Sequence, residues 1–220
     1  MSRAHAQSIP WASILSLVAK ATAQSAGAVV PDRPPTPFAV LVTTMISPRT
    51  KDEVTEAAAG RLLRRASTPR ALGALSETQI ARLIYPAGFY RSKARHLRST
   101  CRILELRYAS RVPAAREELL ELPGVGRKIA NLVLSQAFGI DAICVDTHVH
   151  RISNRVGWVS TRNPHGTEEA LARILPVRHW SRLNHLLVPF GKRVCTPQSP
   201  RCSSCPIRKH CARTGVGRSR

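Results

Sequence analysis

Leu122-Pro123-Gly124-Val125-Gly126-Arg127-Lys128 is the stretch of this 220-residue chain that decides its fold. In a dinucleotide-binding βαβ unit a Gly-x-Gly would follow a strand and be completed by a third glycine. Here a helical run, Arg116 to Leu122, precedes it, and Ile129 stands at the third position. Two helices joined by a tight Pro-Gly turn fit these residues better. Glycines at 124 and 126 permit positive φ and leave backbone N–H groups uncovered at the positive end of the next helix, where a phosphate can come close. An ordinary helical hairpin is the competing interpretation, and the charge of the whole chain decides between the two.

That charge is +21, from 34 Lys+Arg against 13 Asp+Glu. With 43% hydrophobic and 21% charged residues, the chain can bury a core, which excludes a disordered cationic tail. No apolar run reaches the roughly 18 residues of a membrane span, because those near Ile14 and Leu132 are broken by polar residues. Every carboxylate lies between Asp32 and Glu169, and 11 Lys+Arg follow Ala170. Such a field suits a polyanion, since each cation that neutralises a phosphate releases a counterion. Nucleic acid is preferred over anionic membrane, because no Lys-rich amphipathic helix carries aromatic anchors.

Outward from the hairpin the chain reads as helix after helix. Trp11, Ile14, Leu15 and Val18 fall on one helical face. The four prolines of 31–37 form a linker between two packed units. Thr50 with Glu53 and Ser76 with Gln79 are spaced as capping boxes, and Thr68-Pro69 as an N-cap with proline at N1. From Tyr90 to Tyr108, Ala94, Leu97, Cys101, Leu104 and Tyr108 make a core stripe, with Lys93 and five arginines assigned to a basic outer face. Alternating runs long enough for a sheet are missing. The fold class expected is all-α.

Four of the six cysteines, Cys195, Cys202, Cys205 and Cys211, share one 17-residue window as Cys-x6-Cys-x2-Cys-x5-Cys. Four thiolates suit zinc or an iron–sulfur cluster. Zinc ribbons pair two tight knuckles across a longer gap. Here one tight pair is flanked by gaps of six and five, which lets a loop wrap a larger body and favours [4Fe–4S]. Lys128 lies in the first turn of the helix after the hairpin, where the positive helix end disfavours an ammonium and favours a nucleophilic amine; a solvated lysine is the alternative. Asp146, in Val145-Asp146-Thr147-His148, is an N-cap and also a carboxylate fit to stabilise positive charge on a sugar.

Together, the Leu122–Lys128 hairpin, the Val145–His148 segment and the four-cysteine window resemble the endonuclease III family of DNA glycosylases, from about Pro37 to Cys211. The resemblance implies two α-helical lobes with DNA in the cleft between them. One is a six-helix barrel over 30–140 carrying the helix-hairpin-helix; the other is a cluster domain from 1–29 plus 141–220. It implies excision of oxidised pyrimidines from duplex DNA and then strand cleavage at the abasic site, with Lys128 attacking C1′ and Asp146 stabilising the charged intermediate. Gly124, Val125, Gly126, Arg127 and His148 would contact DNA, and a [4Fe–4S] cluster would sit on the four cysteines. A monomer in the bacterial cytoplasm, at the nucleoid and not in the membrane, is expected.

Two positions depart from the family pattern. Arg49 stands where a glutamine commonly fills the gap left by the extruded base, and Phe89 where a leucine wedge is usual. Both leave the damage spectrum open. The alternatives are a monofunctional mismatch glycosylase, whose members lack a lysine at the position of Lys128, and a non-catalytic iron–sulfur protein that binds DNA.

Overall fold

The computed structural model describes residues 9–23 and 36–220; the proline-rich segment 31–35 lies outside them. Among the described residues there are eleven α-helices and no strand. The chain divides into two compact units, one of residues 30–144 and one of 1–29 with 145–220.

The unit of 30–144 is built on α2 (Pro37–Ile46). Thr36 caps it, its hydroxyl accepting from the Ala39 amide at 3.2 Å, and Pro37 occupies the first turn. Phe38, Val40, Leu41, Val42, Met45 and Ile46 are all buried, so this helix is apolar over most of its surface and belongs at the centre. Against it pack α3 (Asp52–Arg65), α6 (Tyr90–Tyr108) and α8 (Arg127–Phe138). Three shorter segments complete the unit: α4 (Pro69–Gly73), α5 (Glu77–Ile84) and α7 (Arg116–Leu120). Thr68 caps α4, and Ser76 with Gln79 forms a complete capping box on α5.

The box expected at Thr50 and Glu53 does not form. Lys51 is the N-cap of α3 and its ammonium has no acceptor with which to cap, while the Thr50 hydroxyl is turned to the Gly88 amide and the Lys93 ammonium. The α6 stripe is buried at Ala94, Leu97, Cys101 and Leu104, as its period requires. Lys93 departs from its expected outer face, for it is only 8% exposed. Burial also pushes the Cys101 thiol up to about 12. Beyond α8 the chain stays with this unit: Ala142, Ile143 and Cys144 are buried, and Asn131 Nδ2 donates to the Ile143 carbonyl at 2.9 Å.

The other unit joins α1 (Trp11–Thr22) to α9 (Thr147–Val156), α10 (Pro164–Ile174) and α11 (Trp180–Arg193). Trp11, Ile14, Leu15 and Val18 are buried, and the Trp11 and Trp158 rings lie 4.8 Å apart between centroids. Past α11 only a single 3-10 turn, Arg208–His210, is regular.

Candidate functional site

Gly124 in the hairpin has φ +80, and a Cβ there would lie 2.7 Å from His96 Nδ1, so conformation and space both demand glycine. The Val125 amide closes the turn on the Leu122 carbonyl at 3.0 Å, and Thr100 Oγ1 on α6 donates to the Pro123 carbonyl at 3.0 Å. Gly126 differs from expectation: its φ is −98, which any residue adopts. A Cβ at Gly126 would meet nothing within 4 Å. Among the described residues nothing requires glycine there, and the backbone faces open space. Gly126 is the N-cap of α8 and supplies no side-chain bond, so the first-turn amides of α8 lack a side-chain cap. Arg127 and Lys128 follow at once, both half-buried.

The start of α9 is closed in the opposite way. Asp146 is its N-cap, and Oδ1 accepts from the His148 amide at 2.8 Å and the Val149 amide at 2.9 Å. His148 packs on Gly191 of α11, where a Cβ would come within 2.6 Å of its Nδ1. Burial pushes the His148 imidazole below its ordinary range. Asp146 opposes that shift, while Arg151 and Lys192 reinforce it. The neutral ring leaves Nδ1 able to accept from Arg151 Nη2, 3.2 Å away.

Arg151 and Arg155, which the sequence reading passed over, connect α9 to the cysteine segment. Arg151 Nη2 donates to the carbonyls of Gly191 and Cys195 at 3.0 and 2.8 Å. Arg155 donates to the carbonyls of Thr196 and Pro197, both at 2.6 Å, and reaches Cys195 Sγ at 3.6 Å. The returning strand of chain bonds to the end of the same helix, Ala212 N to the Val156 carbonyl and Thr214 N to that of Arg155, each at 3.0 Å. Their only signal in the sequence is an i,i+4 pair of cations upstream of the cysteines.

Cys195, Cys202, Cys205 and Cys211 line one cavity with Phe190, Val194, Ile207 and Val216. Burial raises the Cys205 and Cys211 thiols, and neighbouring cysteines push the same way. Holding four thiolates here needs a cationic centre. Among the described residues no three His, Cys, Asp or Glu are placed to hold a single metal ion. Four thiols on the wall of one shared, mostly apolar cavity are a donor set that fits an iron–sulfur cluster.

Arg49 and Phe89 meet. Both are exposed, Phe89 by 62%, and both hold left-handed φ, +54 and +57. The Arg49 guanidinium lies over the Phe89 ring, 5.2 Å from its centroid. Among the described residues no helix is long and apolar enough to cross a membrane.

Comparison with known proteins finds similarity over most of the chain. The family model of the HhH-GPD superfamily base excision DNA repair proteins matches residues 42–177, and that of the iron–sulfur binding domain of endonuclease III matches 195–211. Endonuclease III of Thermotoga maritima is 49% identical over 175 residues, 80% of this chain and 82% of the relative. Endonuclease III homolog 1, chloroplastic, of Arabidopsis thaliana is 44% identical over 81% of this chain, which spans 50% of that longer protein. A solved trapped endonuclease III–DNA covalent intermediate superimposes with a TM-score of 0.82 at 36% identity, covering 92% of this chain and 94% of its own.

Proposed function

Since the chain belongs to the endonuclease III family of base-excision repair proteins, we propose that its glycosylase and abasic-site lyase activity runs through Lys128 and Asp146. The observation that carries this reading is the hairpin itself: an open backbone at Gly126, a glycine N-cap that supplies no side-chain bond to α8, and a half-buried lysine two residues on.

Amides around Gly124, Val125 and Gly126, with the Arg127 side chain, grip the phosphates of duplex DNA. The damaged nucleotide leaves the stack, since C1′ is out of reach inside a duplex. The Lys128 amine attacks C1′; the glycosidic bond breaks, and the base departs with its electron pair and takes up the proton that the nitrogen sheds. Opening of the sugar gives an iminium between Nζ and C1′. Loss of a C2′ proton then sends electrons toward that iminium and expels the 3′ phosphate. Asp146, held at the start of α9, stabilises the positive charge beside His148, which contacts DNA. Oxidised pyrimidines are the proposed substrates, and Arg49 and Phe89 the residues that touch the bases around the gap. The chain acts as a monomer. Cys195, Cys202, Cys205 and Cys211 hold the [4Fe–4S] cluster, which supplies a structural tie for the C-terminal segment and no step of the lyase chemistry.

Borohydride reduction in the presence of thymine-glycol or abasic duplex tests the assignment. A covalent adduct is expected, and it disappears in Lys128→Ala with DNA binding retained. Base release without an adduct would make the chain monofunctional. Neither activity would leave an iron–sulfur protein that only binds DNA.

A further inference from the structure

Lys93 lies outside every role described so far. It stands in the first turn of α6, just after Phe89, and its ammonium donates to three acceptors: the Ile46 carbonyl, the Pro48 carbonyl at 2.7 Å and Thr50 Oγ1 at 2.9 Å. All three belong to the turn that ends α2 and carries Arg49. Thr50 Oγ1 also accepts from the Gly88 amide at 3.1 Å, and Gly88 presses so close that a Cβ would lie 2.3 Å from the Arg49 carbonyl oxygen. Two loops 38 residues apart are therefore sewn together beneath the exposed Arg49 and Phe89 side chains.

A buried lysine is an expensive way to fill space, since desolvation alone lowers its pKa to about 8 and a methionine would occupy the same volume without that cost. An ammonium supplies what methionine cannot: three donors from one point, matched here to three acceptors on one turn. Arg49 and Phe89 both sit at left-handed φ, a strained state for residues with side chains, which persists only where the surroundings over-determine it. The Lys93, Thr50 and Gly88 contacts are those surroundings.

We propose that Lys93 is a positioning residue that locks the Arg49 turn and the Phe89 loop into one rigid element, so that both side chains enter the duplex together when a base is displaced. This rests on the reading of Arg49 and Phe89 as base contacts. A lysine needed only for folding would instead weaken every activity of the enzyme in step.

The test uses the full chain with its cluster, below the melting temperature of each variant. Lys93→Met and Thr50→Val are compared with Lys93→Arg on two duplexes, one with thymine glycol and one with a preformed abasic site. Single-turnover excision of thymine glycol is expected to fall about tenfold or more in the first two. Borohydride trapping at the abasic site, where no base must be expelled, should fall less than about threefold. The fluorescence rise of 2-aminopurine opposite the lesion should shrink in parallel with excision, and Lys93→Arg should recover part of both. Should Lys93→Met fail to fold, Thr50→Val and Gly88→Ala carry the same comparison. An equal fall on both duplexes, or unchanged excision, overturns the proposal. Arg49→Ala and Phe89→Ala separate the two readings. If they leave excision intact, the base-contact reading falls and the lock with it; if they reduce excision while Lys93→Met and Thr50→Val do not, only the lock falls.

Discussion

The two units hold themselves together by different means. That of residues 30–144 has a continuous core, in which most of α2 is buried and Leu62, Leu72, Ile80, Ile84, Leu97 and Leu104 are at most 1% exposed. From Val194 onward the other unit has only Ile207 among its buried hydrophobics. Its order comes from backbone turns, from two arginines of α9 and from a cavity ringed by thiols. A segment this poor in apolar burial cannot offset the entropy of fixing its backbone, at about 1–2 kcal/mol per residue, so its fold must be coupled to what the cysteines bind.

The strongest way to break this contrast is to remove the cluster. In Cys202→Ser with Cys205→Ser, amides of residues 194–220 should exchange hydrogen as in an unstructured chain, while those of α6 and α8 keep their protection; metal binding of this kind contributes on the order of 10 kcal/mol to folding. Equal loosening of α6 would show that the units do not stand apart. Leu97→Ala attacks the packed unit instead. It should cost about 2–5 kcal/mol in denaturant titrations, without bleaching the visible absorbance of the cluster before the melt.

Lys93 gives the contrast a pH signature. Its pKa is about 8 in the fold against an ordinary 10.5. Below pH 8 the folded unit bears the full cost of a buried charge. Between about 8 and 10.5 the folded chain has released the proton and the unfolded chain has not, so unfolding must bind a proton and stability rises with pH. Relative to Lys93→Met, the gain should be about 1–3 kcal/mol, read from urea midpoints across that window. In the cluster-bearing unit, Arg155→Met should cost about 1–2 kcal/mol, because it removes the bonds to the Thr196 and Pro197 carbonyls; the effect should appear as faster exchange at residues 194–197 and 212–214 and leave α6 unchanged. Smallest of all, Ser76→Ala should lower the stability of the packed unit by about 1 kcal/mol, and Glu53→Ala, whose capping box does not form, by less than about 0.5 kcal/mol.

What the sequence made legible follows from range. The hairpin, the Asp146 cap and the four-cysteine window depend on spacings of a few residues, and each stands where those spacings put it. The local pattern puts Lys93 on the wrong side of α6, because a cation beside an apolar stripe is ordinarily solvated, and its acceptors lie 43 to 47 residues away. Thr50 shows the same limit. Its spacing to Glu53 suits a local cap, but Gly88 and Lys93 take its hydroxyl, and no local pattern announces that competition. The Gly-x-Gly spacing marks Gly126 as a conformational glycine, whereas its backbone is extended and the space above it is open.

Asp146 also constrains how this chain can drift under mutation. Asparagine caps a helix about as well as aspartate, so Asp146→Asn should keep the bonds to the His148 and Val149 amides and leave a soluble, folded protein. Glutamate keeps the charge, but its extra methylene moves the carboxylate off both amides. Every single replacement thus forfeits either the cap or the anion. On the proposal that the Asp146 carboxylate acts in the reaction, a library screened for solubility should accept asparagine at this position, whereas the same library selected for base-excision repair should return aspartate alone.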